Sequence, residues 1–229
     1  MNMGNKGNNR HVKRLASPRY LHIERKIHPY ILKPNAGRHT AATSIAIATV
    51  LKEKLGVVGS TKQARMVLNS GSIQVNGNAI TDFRYPLGFG DVLYFKPSNE
   101  YYKVGVGKKG AVNVEKVSDE QAKEQVFKVI GKYVLRGNRE MLKLHNGAVM
   151  PSEKGVRTND SVKIKDGKIS KVIKLEKGAR CLVIRGVHAS ESGTISEIRQ
   201  GTALRGAVVE IDGKEGKKQT LLDNIMAVG

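Results

Sequence analysis

The run Gly105-Val106-Gly107-Lys108-Lys109-Gly110 has the G-x-G-x-x-G spacing that can lay a dinucleotide pyrophosphate on bare backbone. That chemistry needs a helix to follow, with its amino end facing the phosphates. Here residues 111–117 (AVNVEKV) alternate as a strand does, so the run is expected at a hairpin tip that presents Lys108 and Lys109. A P-loop is excluded too, because Gly110 is followed by Ala111 and not by Lys-Ser or Lys-Thr. Four of the six histidines, His11, His22, His28 and His39, are separated by 11, 6 and 11 residues, which fits no zinc pattern, so no metal is expected. The one cysteine, Cys181, lies in the apolar run Cys-Leu-Val-Ile with no paired histidine and base, and reads as a buried structural thiol. No cofactor, no small-molecule substrate and no catalytic residue is expected.

What remains is cationic side chains. The 229 residues carry 40 Lys+Arg against 20 Asp+Glu, a formal net charge of +20, more than solubility alone requires. Lysines and arginines set on phosphates release condensed counterions, so nucleic acid is the expected partner. Aromatics are 5% with no tryptophan, which argues against recognition dominated by stacked bases. The longest nearly apolar stretch, Ala41 to Leu51, is too short for a membrane span, and no membrane partner is expected. A single cysteine allows no intrachain disulfide, and the start MNMGNKGNN has no apolar signal segment, so a soluble protein of a reducing compartment is expected.

The charge is uneven. Residues 1–40 carry 9 basic and 1 acidic residue, 41–103 carry 7 and 4, 104–173 carry 15 and 8, and 174–229 carry 9 and 7. These stretches define four expected units: a basic arm (1–40), a small helical-and-strand domain (41–103), a central strand-rich domain (104–173) and an almost charge-balanced β-barrel (174–229). The arm holds prolines 18, 29 and 34, which block a long helix. Its Arg10, His11, Lys13, Arg14, Arg19, Arg25 and Lys26 are expected to thread along phosphates, while Leu15, Tyr20, Leu21, Ile23, Tyr30 and Ile31 pack part of it on a domain.

In 41–103 a helix is expected from Thr43–Ser44 to Leu55, stopped by Gly56. A second runs from a Ser60-x-x-Gln63 capping box to Gly71. Ala64, Val67 and Leu68 bury one face and leave Lys62, Arg65 and Asn69 in one row on the other. Ile73 and Val75 alternate into Asn76-Gly77, a type I′ hairpin turn. A longer loop through Tyr85-Pro86, Gly88 and Gly90 leads to a strand at 91–95. Beyond residue 104, a second capping box (Ser118, Gln121) predicts a short helix to about Gln125. Strands are expected at 126–135, 141–144, 162–165 and 168–175, with turns at Asn146-Gly147 and Asp166-Gly167. Lys163 and Lys165 share a face, and with Lys168, Lys171 and Lys174 they make a basic sheet surface. From Gly178, strands at 181–185, 194–199, 207–211, 219–221 and 225–228, with a turn at Asp212-Gly213, predict a small barrel.

Residues 60–80 (STKQARMVLNSGSIQVNGNAI) followed by 83–93 (FRYPLGFGDVL) resemble the S4-type RNA-binding domain, an αL motif whose second helix and following hairpin lie on structured RNA. Residues 11–39, the GARCLVIRG run at 178–186, SGTISEI at 192–198 and LLDNIMAVG at 221–229 extend the resemblance over nearly the whole chain. They resemble the archaeal/eukaryotic-type small-subunit ribosomal protein S4e family. Residues 178–198 are similar to a KOW motif, with Gly186 and Gly193 where its loop needs them. VHASES at 187–192 departs from the usual small and basic loop, and Glu191 adds a negative charge, so a protein-facing or weakly RNA-contacting barrel is expected.

The resemblance implies an α+β, multi-module fold: a basic arm, an α-α-β S4-like domain, a central mostly-β domain and a C-terminal SH3-like barrel. It also implies a non-enzymatic constituent of the small ribosomal subunit, in the cytoplasm, whose partners are small-subunit ribosomal RNA and neighbouring ribosomal proteins. Lys62, Arg65 and Asn69 would then fix the helix on the RNA backbone, with Arg84 and Tyr85 near its edge and Lys108 and Lys109 as a third contact. Two other functions share the S4-like module: an RNA-modifying enzyme, for which residues after 103 offer no catalytic domain, and a free-standing RNA-binding or chaperone-like protein.

Overall fold

A computed structural model describes residues 12–153, 155–165, 167–202, 206–213 and 216–229. The chain is mostly β, with few and short helices and several separate sheets. In order, the first part contains β1 (Val12–Lys13), β2 (Tyr30–Ile31), β3 (Ser44–Ala46), α1 (Ile47–Thr49), α2 (Thr61–Asn69), β4 (Ile73–Val75), β5 (Asn78–Ala79), β6 (Pro86–Gly88), β7 (Val92–Phe95), β8 (Glu100–Val106) and β9 (Val112–Val117). β1 pairs with β2 and β3 with β6, while β5-β4-β7-β8-β9 form a five-stranded antiparallel sheet. One core joins them: Leu21 and Ile31 of the arm pack with Leu51, Leu68, Ile73, Leu93 and Val104. The described arm is therefore part of a folded unit, and the sheet continues past residue 103 through the β8–β9 pairing.

α2 forms for the reason its sequence gives. Gln63 N–H donates to Ser60 Oγ (3.2 Å) and Ser60 N–H to Gln63 Oε1 (3.1 Å), so the first turn is capped from both sides. Gly71 closes the helix with a left-handed φ of 67°, and Asn76-Gly77 makes the hairpin turn with φ of 49° and 81°, both positive as type I′ requires. The first expected helix is corrected. Ser44–Ala46 are a strand, helix begins only at Ile47, and Val50–Lys54 form a π turn before Gly56 stops it. Pairing with Pro86–Gly88 buries Ser44, Ile45 and Ala46 completely, and this tertiary contact overrides the helical period of the run.

The second part contains α3 (Asp119–Lys123), β10 (Glu124–Leu135), β11 (Arg139–Leu144), β12 (Val149–Pro151), β13 (Ser161–Lys165) and β14 (Lys168–Ile173). They make an antiparallel sheet in the order β12-β11-β10-β13-β14. β10 is long enough to pair with β13 along Glu124–Lys128 and with β11 along Val129–Leu135, with a register shift between Val129 and Gly131. That bend curls the sheet around Phe127, Val129, Leu142, Leu144 and Val162. The capping box expected at Ser118 does not form: the Ser118 side chain makes no cap hydrogen bond, and the helix ends at Lys123, where the β10–β13 pairing takes over.

The last part contains β15 (Arg180–Val183), β16 (Ser192–Arg199), β17 (Val208–Gly213), β18 (Gly216–Leu221) and β19 (Ile225–Ala227), in the sheet order β18-β17-β16-β15-β19. Strand pairing runs through Gly213↔Gly216, so Asp212 and Gly213 lie in the strand and not in the expected turn. Cys181 is buried in this core with Val183, Ile195 and Ile225, and burial pushes its thiol pKa up, which suits an inert thiol. Gly193 is required by packing: a Cβ there would stand 2.6 Å from the Asp212 carbonyl oxygen across the strand pair. Gly193→Val should therefore lower stability by about 1–3 kcal/mol, read as a fall in the urea midpoint.

Candidate nucleic-acid interface

Helix α2 presents the expected row. Lys62, Arg65 and Asn69 are exposed, while Ala64 and Leu68 on the opposite side are fully buried. Phe83 braces the row from the loop before β6. The Arg65 guanidinium lies 3.9 Å from the Phe83 ring centroid, and that of Arg84 lies 5.3 Å from the same ring. Two cations are thus held on one aromatic ring at the edge of α2. The Nε of Arg84 is buried without a hydrogen-bond partner among the described residues. Tyr85 is half-buried beside them, its pKa raised by burial and partly offset by the nearby Arg38.

The same loop is tied to the arm. Asn35 N–H donates to the Arg84 carbonyl (2.9 Å), and the Asn35 side chain donates to Asp82 Oδ2 (2.8 Å). The arm's own cations divide into two groups. Arg14 is buried at 3% exposure, where its two terminal nitrogens donate to Glu53 Oε1 (2.8 Å) and Oε2 (2.7 Å) and its Nε to the Glu24 carbonyl. Its guanidinium is committed inside the protein, where it fastens the arm to the helical layer and is out of reach of an RNA backbone. Arg25 donates to the Leu15 carbonyl at 3.0 Å. Lys13, Arg19 and Lys26 are exposed. Arg10 and His11 lie outside the described residues.

Lys108 and Lys109 are exposed on a 3-10 turn at the tip of the β8–β9 hairpin, where Lys109 adopts a left-handed φ of 57°. β9 is the edge strand opposite β5, so the tip does not join the α2 row. It faces instead the central and C-terminal parts. A third basic surface lies on β13 and β14. The register sets Lys163 opposite Lys171 and Lys165 opposite Lys168. Directly opposed like charges destabilise a sheet, and here, among the described residues, Glu124 answers them, 2.6 Å from Lys163. That hydrogen bond holds the Glu124 carboxyl below its ordinary pKa.

Two buried groups that sequence reasoning missed join the parts. His145 sits between Phe89 and Phe127, with ring centroids 5.6 and 5.4 Å away. Its Nδ1 accepts from the Lys128 N–H (3.0 Å), which leaves Nε2 to donate to the Phe89 carbonyl (3.1 Å). Only a neutral ring makes both bonds, and burial lowers its pKa from 6.5 to about 4. Lys128, in the middle of β10, donates from Nζ to the Leu222 carbonyl (2.7 Å), and burial lowers its pKa to about 8. The sequence signal was a lysine inside the apolar run Val126–Ile130. His39 is buried 2.9 Å from Asp91 Oδ2, close enough for an ion pair but without hydrogen-bond alignment. Among the described residues no cluster of three or more histidine, cysteine, aspartate or glutamate side chains could hold a metal ion.

Comparison with known proteins gives the family. Residues 98–169 match the model described as Ribosomal family S4e, and residues 6–42 match the RS4NT (NUC023) domain. The chain is similar to the small ribosomal subunit protein eS4 of Nanoarchaeum equitans, 32% identical over 96% of this chain and 95% of that one. It is 30% identical to the eS4 of Methanosphaera stadtmanae over 99% of this chain and 95% of the relative. The crystal structure of the 30S ribosomal protein S4e from Thermoplasma acidophilum superposes with a TM-score of 0.70 at 26% identity, covering 82% of this chain and 95% of that one.

The buried pair gives two pH signatures. The native chain binds fewer protons than the unfolded chain at His145 between pH 4 and 6.5, so stability should fall as pH drops through that window, by up to about 3 kcal/mol. His145→Gln, which keeps a donor for the Phe89 carbonyl, should flatten that acid limb. The same sign rule makes the cost of charged Lys128 full below about pH 8 and relieved toward 10.5. Urea midpoints of wild type relative to Lys128→Met should therefore rise between pH 8 and 10.

Proposed function

The chain belongs to the S4e family of ribosomal proteins, and from that membership we propose which of its surfaces carry small-subunit ribosomal RNA. It is a structural constituent of the small ribosomal subunit, located in the cytoplasmic ribosome, and not an enzyme. The mechanism is electrostatic docking on folded RNA, with phosphate contacts fixing position and the shape of the RNA fixing the site.

The observation that carries this reading is the placement of the cations. The lysines of β13 and β14 oppose one another across the strands, and the α2 row stands exposed with Arg65 over the Phe83 ring that Arg84 shares. Each arrangement carries a repulsion that a phosphate backbone removes. We assign the primary contact to Lys62, Arg65 and Asn69, extended by Arg84 and Tyr85. Lys13, Arg19, Arg25 and Lys26 continue it along the arm, together with Arg10 and His11 outside the described residues. Arg14 serves as an internal anchor. Lys108 and Lys109 make a separate contact at the hairpin tip, and several such anchors on one chain reinforce each other through effective concentration.

In this reading residues 41–103, with the β8–β9 hairpin into which their sheet continues, form an S4-like module, the curled central sheet a second, and residues 174–229 an SH3-like barrel with a KOW loop. The His188–Glu191 and Lys218–Glu191 contacts, at 3.6 and 2.8 Å, occupy the acidic residue of that loop within the protein. This supports a barrel that faces neighbouring ribosomal proteins more than RNA.

Charge reversal at Lys62 and Arg65 together (K62E/R65E) should weaken binding to a structured small-subunit RNA transcript. It should also reduce the magnitude of the slope of log K against log salt by about 1–2, as expected for one or two lost phosphate contacts. An unchanged slope would remove α2 from the interface.

A further inference from the structure

The hairpin tip does more than display two lysines. Gly105, Lys109 and Gly110 of the glycine-rich run form one wall of a cavity of about 470 Å³, where the β8–β9 hairpin, β10 and the loop after β15 meet. The walls are largely apolar, lined by Val106, Val112, Ile130 and Ile184 together with the Phe89 ring. Ile130 keeps 53% of its surface exposed on this lining, unlike Phe127, Lys128 and Val129 just before it. Cations line it as well: Lys109 and Arg185 are exposed, and Lys128 lies buried with its Nζ on the Leu222 carbonyl. Among the described residues Asp223 is the one carboxylate on the lining.

A cavity of this size falls in the range that encloses a small ligand, and apolar walls with a few convergent charged groups are the usual make-up of such sites. A flat π-system suits the apolar slot, where Phe89 and Tyr20 both line the wall. An anion suits Lys109 and Arg185. An apolar protein side chain would fill the slot and leave both cations without an anion. We propose that this cavity holds one nucleotide unit, with its base against the apolar walls and its phosphate at Lys109 and Arg185. The unit could come from a nucleotide turned out of bound RNA, which rests on the RNA-binding reading above, or from a free nucleoside monophosphate, which does not.

Gly105 offers a clean probe. It lines the cavity, and a Cβ added there meets no atom within 4 Å, so the first carbon of a Gly105→Leu side chain enters open space. The full-length ¹⁵N-labelled chain is titrated with AMP, GMP, CMP and UMP up to about 10 mM, with inorganic phosphate as control. Nucleotides should shift the amides of residues 104–112 and 184–186 saturably, and phosphate alone should not. Gly105→Leu and, separately, Arg185→Glu should each weaken the nucleotide effect roughly tenfold while amides outside the cavity keep their positions.

The two sources separate on RNA. If the unit comes from bound RNA, Gly105→Leu should lower affinity for a structured small-subunit transcript by roughly 5- to 100-fold while reducing the salt slope by no more than about 1, because stacking releases no counterions and only the phosphate contact at Lys109 and Arg185 is lost with it. If it is a free nucleotide, transcript affinity stays the same while the titration is lost. The proposal is overturned if no nucleotide gives saturable shifts at these amides and Gly105→Leu leaves transcript affinity unchanged. Should the wild-type chain fail to bind the transcript at all, the RNA-binding reading fails, and the nucleotide titration alone decides the cavity.

Discussion

Repulsion among 40 cationic side chains, met by half as many carboxylates, is the constraint to which the rest of the structure answers. The protein places some of its acids where they hold the fold together. Glu53 grips Arg14 at the root of the arm, and Asp91 accepts from Asn76 and from the Gly88 N–H while standing beside His39. Acids used this way neutralise little of the surface. The cations of α2, the hairpin tip and the β13–β14 face are left outward, in groups too dense to be comfortable in water alone. In the proposed reading a phosphate backbone turns that repulsion into binding free energy, and no chemical step is required of the protein.

Three small cores would be marginal if each stood alone, so the joints between them matter. Buried polar groups take part in them. His145 bridges the Phe89 loop and β10 as a neutral ring, and Lys128 reaches from the centre of β10 to the Leu222 carbonyl. Gly147, with φ of 75°, lets the backbone at Arg38 approach so closely that a side chain there would strike it. Each bond has a fixed direction, so each joint sets an orientation as well as a contact. The relative placement of the basic surfaces follows from these joints.

Local signals in the chain carried most of the strands, the α2 helix and its exposed row, because their causes are local. A capping box, a glycine in left-handed conformation and an Asn-Gly turn each act within a few residues. The failures share one cause. Ser44–Ala46 reads as helix by period, but it pairs with a strand some 40 residues later. The Ser118 box lost to the start of β10, whose pairing with β13 claims the backbone at Glu124. In the arm, Arg14 looks like its neighbours in sequence, and only the fold brings Glu53 to it. The cavity was illegible for the same reason: its walls come from separate stretches of chain between Tyr20 and Asp223, and the glycine run marks only one of them.

The central claim is that exposed cations on several surfaces neutralise phosphates of one folded RNA. Its most direct test is the affinity of the wild-type chain for a structured small-subunit ribosomal RNA transcript, measured as salt is raised from about 50 to 200 mM. The account predicts a linear fall of log K with log salt, amounting to a loss of about 10³-fold or more, as expected for six or more phosphate contacts. A flat dependence, or no measurable binding at the low end of that range, would contradict it.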